Sequence, residues 1–327
     1  MVVSPERSTS RAARAATLLV VAAAVCFGTT GTAQALGAAD ASALSLGAAR
    51  IVFGGALLAL LALAVAVRAR RHPTDGSRAS FRPPRAHPRV APLALVVVGA
   101  IGVGAYQPTF FTGTHENGVA VGTLVALGSA PVLTGLLEWL VRRKAPGLRW
   151  ALATAVAAAG VAVLSGILAP ASAEGGASGA VTVVGLLGSL GAGASYAVYA
   201  LSSKLLLDRG WRPTTVMGAT FGVAAVFMTP VLLSSDSSWL ARPGGLASTA
   251  WLAIVTVALA YTLFARGLRS LPASRAATLT LVEPLTATLL GVLLLHEQFT
   301  VSIVAGLLLL VAGILILTIT RRTRSNN

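Results

Sequence analysis

Charge is what this sequence has least of: 11% of its 327 residues are Asp, Glu, Lys or Arg. Soluble globular domains carry roughly 25%, so the chain lacks the polar cover that a water-facing surface needs. Cysteine occurs once, as Cys26, which excludes an internal disulfide and any thiolate metal cluster. The only lysines, Lys144 and Lys204, follow no Gly-x-x-x-x-Gly-Lys-Ser/Thr loop, which argues against ATP-driven work by this chain alone. A Gly-x-Ser-x-Gly elbow is missing. His115-Glu116 and His296-Glu297 lack the second histidine, four residues after the first, that a zinc-binding helix needs. With four histidines in all, little is left for metal chemistry, and neither a cofactor nor an enzymatic activity is expected.

Acidic residues number 10 against 25 basic ones, a net charge of +15. In a soluble protein that excess would point to nucleic acid. Here the arginines gather between apolar stretches, and the densest group, 68–89, holds Phe81 as its one aromatic. No nucleic-acid partner is expected.

Apolar sequence is abundant, 55% of residues with a mean hydropathy of +0.81. It falls into ten blocks, 16–35, 43–67, 90–113, 118–141, 148–168, 180–205, 213–233, 246–267, 272–295 and 299–320. Most are near the roughly 20 residues that cross a hydrocarbon core. Each is expected to be helical, because an open strand in lipid leaves backbone N–H and C=O groups unpaired. The fold class is therefore an all-α membrane protein of ten transmembrane helices. Arg7, Arg11 and Arg14, the first apolar run and Ala33-Gln34-Ala35 imitate a cleavable signal peptide. Nine further apolar segments favour a retained first helix. The Arg/Pro-rich stretch 68–89 reads as disordered, and 169–179 as a flexible joint.

Basic residues set the expected orientation. With the N-terminus inside, 23 of the 25 fall in cytoplasmic segments, Arg242 falls outside and Arg50 lies within a helix. An even helix count then puts both termini in the cytoplasm. The alanine-, arginine- and leucine-rich usage resembles that of a high-GC bacterium, so a bacterial plasma membrane is the expected location.

A repeat is visible at an offset of 153 residues, which lays Pro131 on Pro284 and Gly160 on Gly313. With a two-residue adjustment Tyr106 falls on Tyr261, and an offset near 170 sets Phe27-Gly28 beside Tyr196-Ala197. The expected organisation is a tail (1–15), a five-helix repeat (16–168), an outer linker (169–179), a second repeat (180–320) and a tail (321–327). An odd number of spans per half inverts the second repeat relative to the first, a common construction in secondary transporters.

The run from Leu281-Val282-Glu283-Pro284-Leu285 to His296-Glu297 resembles the ninth helix of the EamA-type branch of the drug/metabolite transporter superfamily. Arg50, in Ala48-Ala49-Arg50-Ile51-Val52-Phe53, looks like that family's second-helix arginine, and Phe27-Gly28 stands where Trp-Gly is usual. His296 stands where Gly is usual. The resemblance covers residues 17–320 and implies a ten-helix secondary carrier, with amino acids or other metabolites as solutes and export as a frequent direction.

The residues read individually point to the same place. Glu283 lies near the middle of its span, where a carboxylate costs roughly 2.5–3.5 kcal/mol unless solvated, paired or protonated. Pro284 removes a backbone hydrogen bond and frees a carbonyl near Thr280. An acid beside a helix break suits an ion or proton site; the alternative is a permanent pairing that only holds the fold. The counterpart of Glu283 in the first half is Ala130, so a central carboxylate would be single, and desolvation would favour its protonated form. Arg50 is either an anchor for an anionic group or a snorkelling side chain reaching toward Asp40. Tyr106, Gln107, Tyr196, Tyr199 and Tyr261 lie within spans and either line a cavity or hydrogen-bond neighbouring helices. Glu138 and Arg142 form an interfacial i, i+4 pair, and the five tryptophans read as interface anchors. The expected partners are a small-molecule substrate, the lipid bilayer and a proton as coupling ion, with a homodimer left open. A membrane scaffold or receptor and an intramembrane enzyme are the competing classes.

Overall fold

The structure, a computed structural model, describes residues 5–71, 91–164, 182–295 and 301–318. Residues 72–89 of the Arg/Pro-rich stretch, the joint 169–179 and the pair His296-Glu297 lie outside the described residues. Among the described residues ten apolar helices follow in chain order: α1 (Ala12–Gly37), α2 (Ala43–Arg71), α3 (Pro92–Gly118), α4 (Val121–Arg142), α5 (Leu148–Leu164), α6 (Val183–Asp208), α7 (Pro213–Ser234), α8 (Pro243–Leu268), α9 (Ala273–Leu294) and α10 (Val301–Thr318). All but α5, at 17 described residues, are long enough to cross a membrane.

Polarity is arranged inside out. Large side chains such as Leu18, Leu63, Leu148, Val226, Leu233 and Leu308 face outward, where lipid tails cover them, while the buried positions are rich in alanine and glycine. Lipid tails are as apolar as leucine, so burying leucine yields little. Small residues hold helices together by letting their backbones come close.

The closest approaches obey a two-fold relation. A Cβ added at Gly160 in α5 would stand 2.7 Å from the Leu310 nitrogen and 2.9 Å from the Gly306 oxygen in α10. One added at Gly313 would stand 2.7 Å from the Ala157 nitrogen and 2.8 Å from the Ala153 oxygen. The offset of 153 that carries Gly160 onto Gly313 also carries Ala157 onto Leu310 and Ala153 onto Gly306. In the α2–α7 contact, Gly55 approaches the Phe221 oxygen and the Ala225 Cβ, and Gly218 approaches the Leu58 oxygen and the Ala62 Cβ. There an offset of 163 relates all three pairs of positions. The wider packing follows the same exchange of αn with αn+5, since α3 lies on α6 and α1 lies on α8.

Four interruptions shape the bundle. The α1 span breaks at Thr29, between a helix that starts ahead of the span (Pro5–Gly28) and a short one (Thr30–Gly37). There the Thr29 and Thr30 hydroxyls donate to the carbonyls of Cys26 (2.7 Å) and Phe27 (2.6 Å) and compete with the helix ladder. Gly118, with φ 78° and ψ 155°, turns α3 into α4, a conformation open to glycine without strain. In α8, residues Leu252–Leu259 form a π-helix, a geometry frequent at functional sites. The α9 helix breaks at Thr280 and Leu281, between Ala273–Leu279 and Val282–Leu294. Pro284 is the cause, but the freed Thr280 carbonyl does not stay open: it accepts from the Glu283 nitrogen at 2.9 Å. Pro131, the first-half counterpart, leaves α4 helical.

One expected anchor is misplaced. Trp239 is 3% exposed, and its Nε1 donates to the Ser45 hydroxyl at 2.9 Å. An indole beside a loop finds a better partner inside the bundle than at the headgroups. Trp139 stays exposed near the end of α4, while the exposed Trp251 donates its Nε1 to the Thr29 hydroxyl at 2.9 Å, at the break in α1.

Candidate functional site

Two adjoining cavities gather every residue singled out for the site. The larger, about 810 Å³, is lined by Arg50, Tyr106, Gln107, Glu283 and Pro284 among others. A smaller recess, about 60 Å³, shares Arg50, Tyr106, Gln107 and Glu283 and adds Tyr196, Tyr199 and Tyr261. The eight residues come from α2, α3, α6, α8 and α9 and meet beside the break in α9.

The larger cavity belongs to one end of the bundle. Its remaining walls include Thr30 and Gln34 late in α1, Ala43 early in α2, Phe110 late in α3, Thr123 early in α4 and Leu164 at the end of α5. Alternating helix directions put all of these at the same end.

Arg50 and Glu283 are its charged groups. The Arg50 Nη2 donates to the Thr256 carbonyl, inside the π-helix of α8, at 3.4 Å. Its Nε is buried without a hydrogen-bond partner. Snorkelling toward Asp40 does not occur: Asp40 pairs with Arg242, which lies closer to the same exposed edge. No cation lies within 4.0 Å of the Glu283 carboxylate among the described residues, so a permanent ion pair does not hold it. Arg50 is nonetheless close enough to act on it electrostatically. Arg50 and Glu283 thus line the same cavity with no direct ion pair between them.

The tyrosines divide. Tyr196 shares a hydrogen bond of 3.2 Å with the Thr280 hydroxyl and so braces the break in α9. The Tyr199 hydroxyl donates to Met217 Sδ at 3.7 Å, a packing role. Tyr261 lies 4.2 Å from Phe221 and 4.8 Å from Phe27 between ring centroids, and Tyr106 stacks on Phe110. The hydroxyls of Tyr106 and Tyr261 have no hydrogen-bond partner among the described residues. Gln107 is seated by Gly47, where an added Cβ would meet its Cδ at 2.7 Å.

Sequence reasoning missed Thr30, Gln34, Thr123, Thr288 and Phe110, which supply hydroxyl, amide and aromatic wall. Of these only Thr30, in the Thr29-Thr30 doublet, left a signal, because paired threonines inside an apolar run weaken a helix.

At the opposite end charged side chains, which line a separate cavity of about 590 Å³, hold the start of α9. The Glu138 Oε1 and Oε2 accept from the Ala273 and Ser274 nitrogens at 3.1 and 2.9 Å, the exposed donors at the start of α9. Glu138 also lies 3.3 Å from Arg142, as expected, but it is 6% exposed, and the bond to α9 is what buries it. Arg142 in turn pairs with Asp208, and Lys204 lies 3.1 Å from the same carboxylate. The Lys204 ammonium donates to the Leu268 and Arg269 carbonyls, at 2.9 and 3.1 Å, at the end of α8.

Comparison with known proteins decides the family. The model of the EamA-like transporter family matches residues 14–166 and again 183–319. This chain belongs to the EamA-like transporter family. The uncharacterized transporter YwfM of Bacillus subtilis is 37% identical over 92% of this chain and 93% of its own length. The uncharacterized inner membrane transporter YicL of Salmonella typhimurium is 23% identical over 71% and 75%. A crystal structure superposes on the EamA-like chain with a TM-score of 0.71 at 22% identity, covering 92% of this chain and 95% of the other, and shows the shared fold. The EamA-like chain is a multi-pass membrane transporter, with relatives in bacterial membranes.

Proposed function

We propose that this transporter exports a small zwitterionic metabolite, an amino acid or a similar compound, by alternating access, with both termini in the cytoplasm and Glu283 exchanging a proton during the cycle. The observation that carries the reading is the placement of Arg50 and Glu283 on one cavity wall with no direct ion pair between them. Arg50 faces a substrate carboxylate, and Glu283 faces an ammonium group or, between substrates, a proton. Tyr106 and Tyr261 offer free hydroxyls and ring faces to the remainder of the solute. At about 810 Å³ the cavity is within the usual range for small-molecule sites, roughly 300–1,000 Å³.

A charged Glu283 would be costly to carry through a closed, dry intermediate. Loading it with a proton or a cationic group removes that cost, which links movement of the bundle to occupancy. The inverted repeat supplies the second conformation, because exchanging the packing of αn and αn+5 turns an open end into a closed one. No covalent chemistry on the solute is involved. Export as the direction rests on the family resemblance of α9.

The test is solute counterflow in vesicles reconstituted with the full chain, screened over pools of amino acids and other metabolites at several pH values. Glu283→Gln is expected to abolish pH-dependent flux, and Arg50→Gln to raise KM for carboxylate-bearing solutes. Proton-coupled flux surviving in Glu283→Gln would sink the proposed role of that carboxylate.

A further inference from the structure

The geometry points to a one-sided electrostatic latch: Glu138, Arg142, Asp208 and Lys204 lock the α8–α9 turn at the end opposite the larger cavity, and the described residues of the cavity end hold no equivalent. This deepens the transport reading by naming what biases the cycle. The four side chains form one chain of contacts, from Glu138 through Arg142 and Asp208 to Lys204. Its two ends hold the two sides of the turn, with Glu138 on the first amides of α9 and Lys204 on the last carbonyls of α8. Each attachment has the sign that a helix terminus favours, an anion at the N-terminus and a cation at the C-terminus. Glu138 and Lys204 are each 6% exposed, so breaking the latch strands charges in a poorly solvated place.

The repeat shows what symmetry would require and what is missing. At the cavity end the equivalent latch would run from α9 and α1 to the α3–α4 turn. The 153-residue offset places Gly291 opposite Glu138 and Leu295 opposite Arg142. With the offset that sets Phe27-Gly28 beside Tyr196-Ala197, Ala35 and Ala39 stand opposite Lys204 and Asp208. The α3–α4 turn is held instead by neutral contacts, in which Asn117 accepts from the Thr182 nitrogen at 2.7 Å and donates to the Thr182 carbonyl at 3.2 Å. Among the described residues the charged contacts at that end are exposed: Asp40 with Arg242 joins α1 to α8, which already pack on each other, and His115 lies 3.5 Å from its chain neighbour Glu116. The latch therefore favours the conformation seen here, and the transporter rests with the latched end shut until a bound solute offsets the bias.

Thiol accessibility tests this without measuring flux, so it stands or falls separately from the proposed substrate and coupling. In a Cys26→Ser background of the full chain in nanodiscs, Leu271→Cys reports the latched turn and Ala287→Cys reports the open cavity. With the latch intact, a membrane-impermeant maleimide should label Ala287→Cys readily and Leu271→Cys slowly. Adding Glu138→Gln or Lys204→Met should raise labelling at position 271 about tenfold or more, the population change produced by about 1.4 kcal/mol, and lower it at 287. Asp208→Asn, which cuts the middle of the chain and leaves both helix-end contacts, should do the same to a smaller degree and carries the test if the others fail to fold. Unchanged rates at both positions overturn the latch. So does faster labelling at 271 with no decrease at 287, because that pattern is local loosening rather than a shift between two conformations.

Discussion

Gly160→Ala and Gly313→Ala should destabilise the transporter to the same extent, although they lie in different halves of the chain. The methyl at Gly160 would meet backbone atoms at 2.7 and 2.9 Å, and the one at Gly313 would meet backbone atoms at 2.7 and 2.8 Å. Backbone cannot rotate away as a side chain does, so α5 and α10 must separate in either variant. Overpacking of this kind costs about 1–3 kcal/mol, against which alanine gains up to about 1 kcal/mol over glycine in helix propensity. Gly128→Ala is the control, since its nearest atoms would be 4.0 Å away and only the propensity gain remains. Relative to that control each variant should lose about 1–3 kcal/mol. The double variant should lose less than the sum, because the first methyl has already opened the crossing that the second would strain. Unfolding by sodium dodecyl sulfate titration in mixed micelles measures all four proteins on one scale. A clear difference between Gly160→Ala and Gly313→Ala, or stability equal to the control in both, would refute the two-fold crossing.

Gly47→Ala presents the opposite case. Its methyl meets the Gln107 side chain, which can move into the cavity, so solute affinity should change while the unfolding midpoint hardly does. Trp239→Phe removes the indole bond to Ser45 and should lower stability by about 1 kcal/mol in the same titration. Asp40→Asn breaks an exposed pair and should cost no more than about 0.5 kcal/mol. Thr280→Val removes the brace from Tyr196 at the break in α9 and should alter turnover in vesicle flux assays more than it alters KM. An unaltered turnover would show that the break needs no brace.

The membrane nature of the chain and the approximate bounds of ten helices were legible in the sequence because they follow from local composition. A run of about 20 apolar residues has one low-energy arrangement in lipid. The break at Thr280 was legible for a similar reason, since a missing N–H at Pro284 acts within one turn of itself. Glu283 and Arg50 stood out because charge inside an apolar run is costly wherever the run ends up.

Contacts between helices needed the tertiary structure. Whether Arg50 turns toward Asp40 or toward the cavity depends on Arg242, some 200 residues away, which takes Asp40 for itself. Trp239 reads as an interface anchor until Ser45 is brought beside it. Glu138 looked like half of a surface pair, yet its other partners are backbone amides of α9, and a backbone donor carries no mark in the amino-acid sequence. The sequence by itself determined that this is a ten-helix membrane protein with an acid and an arginine in its interior. Only the tertiary structure decided that these two share one cavity, that the cavity belongs to one end, and that charged side chains hold the α8–α9 turn at the other. The physical reason is range: hydrophobic partition acts residue by residue along the chain, whereas ion pairs and close backbone crossings exist only between segments that folding has placed side by side.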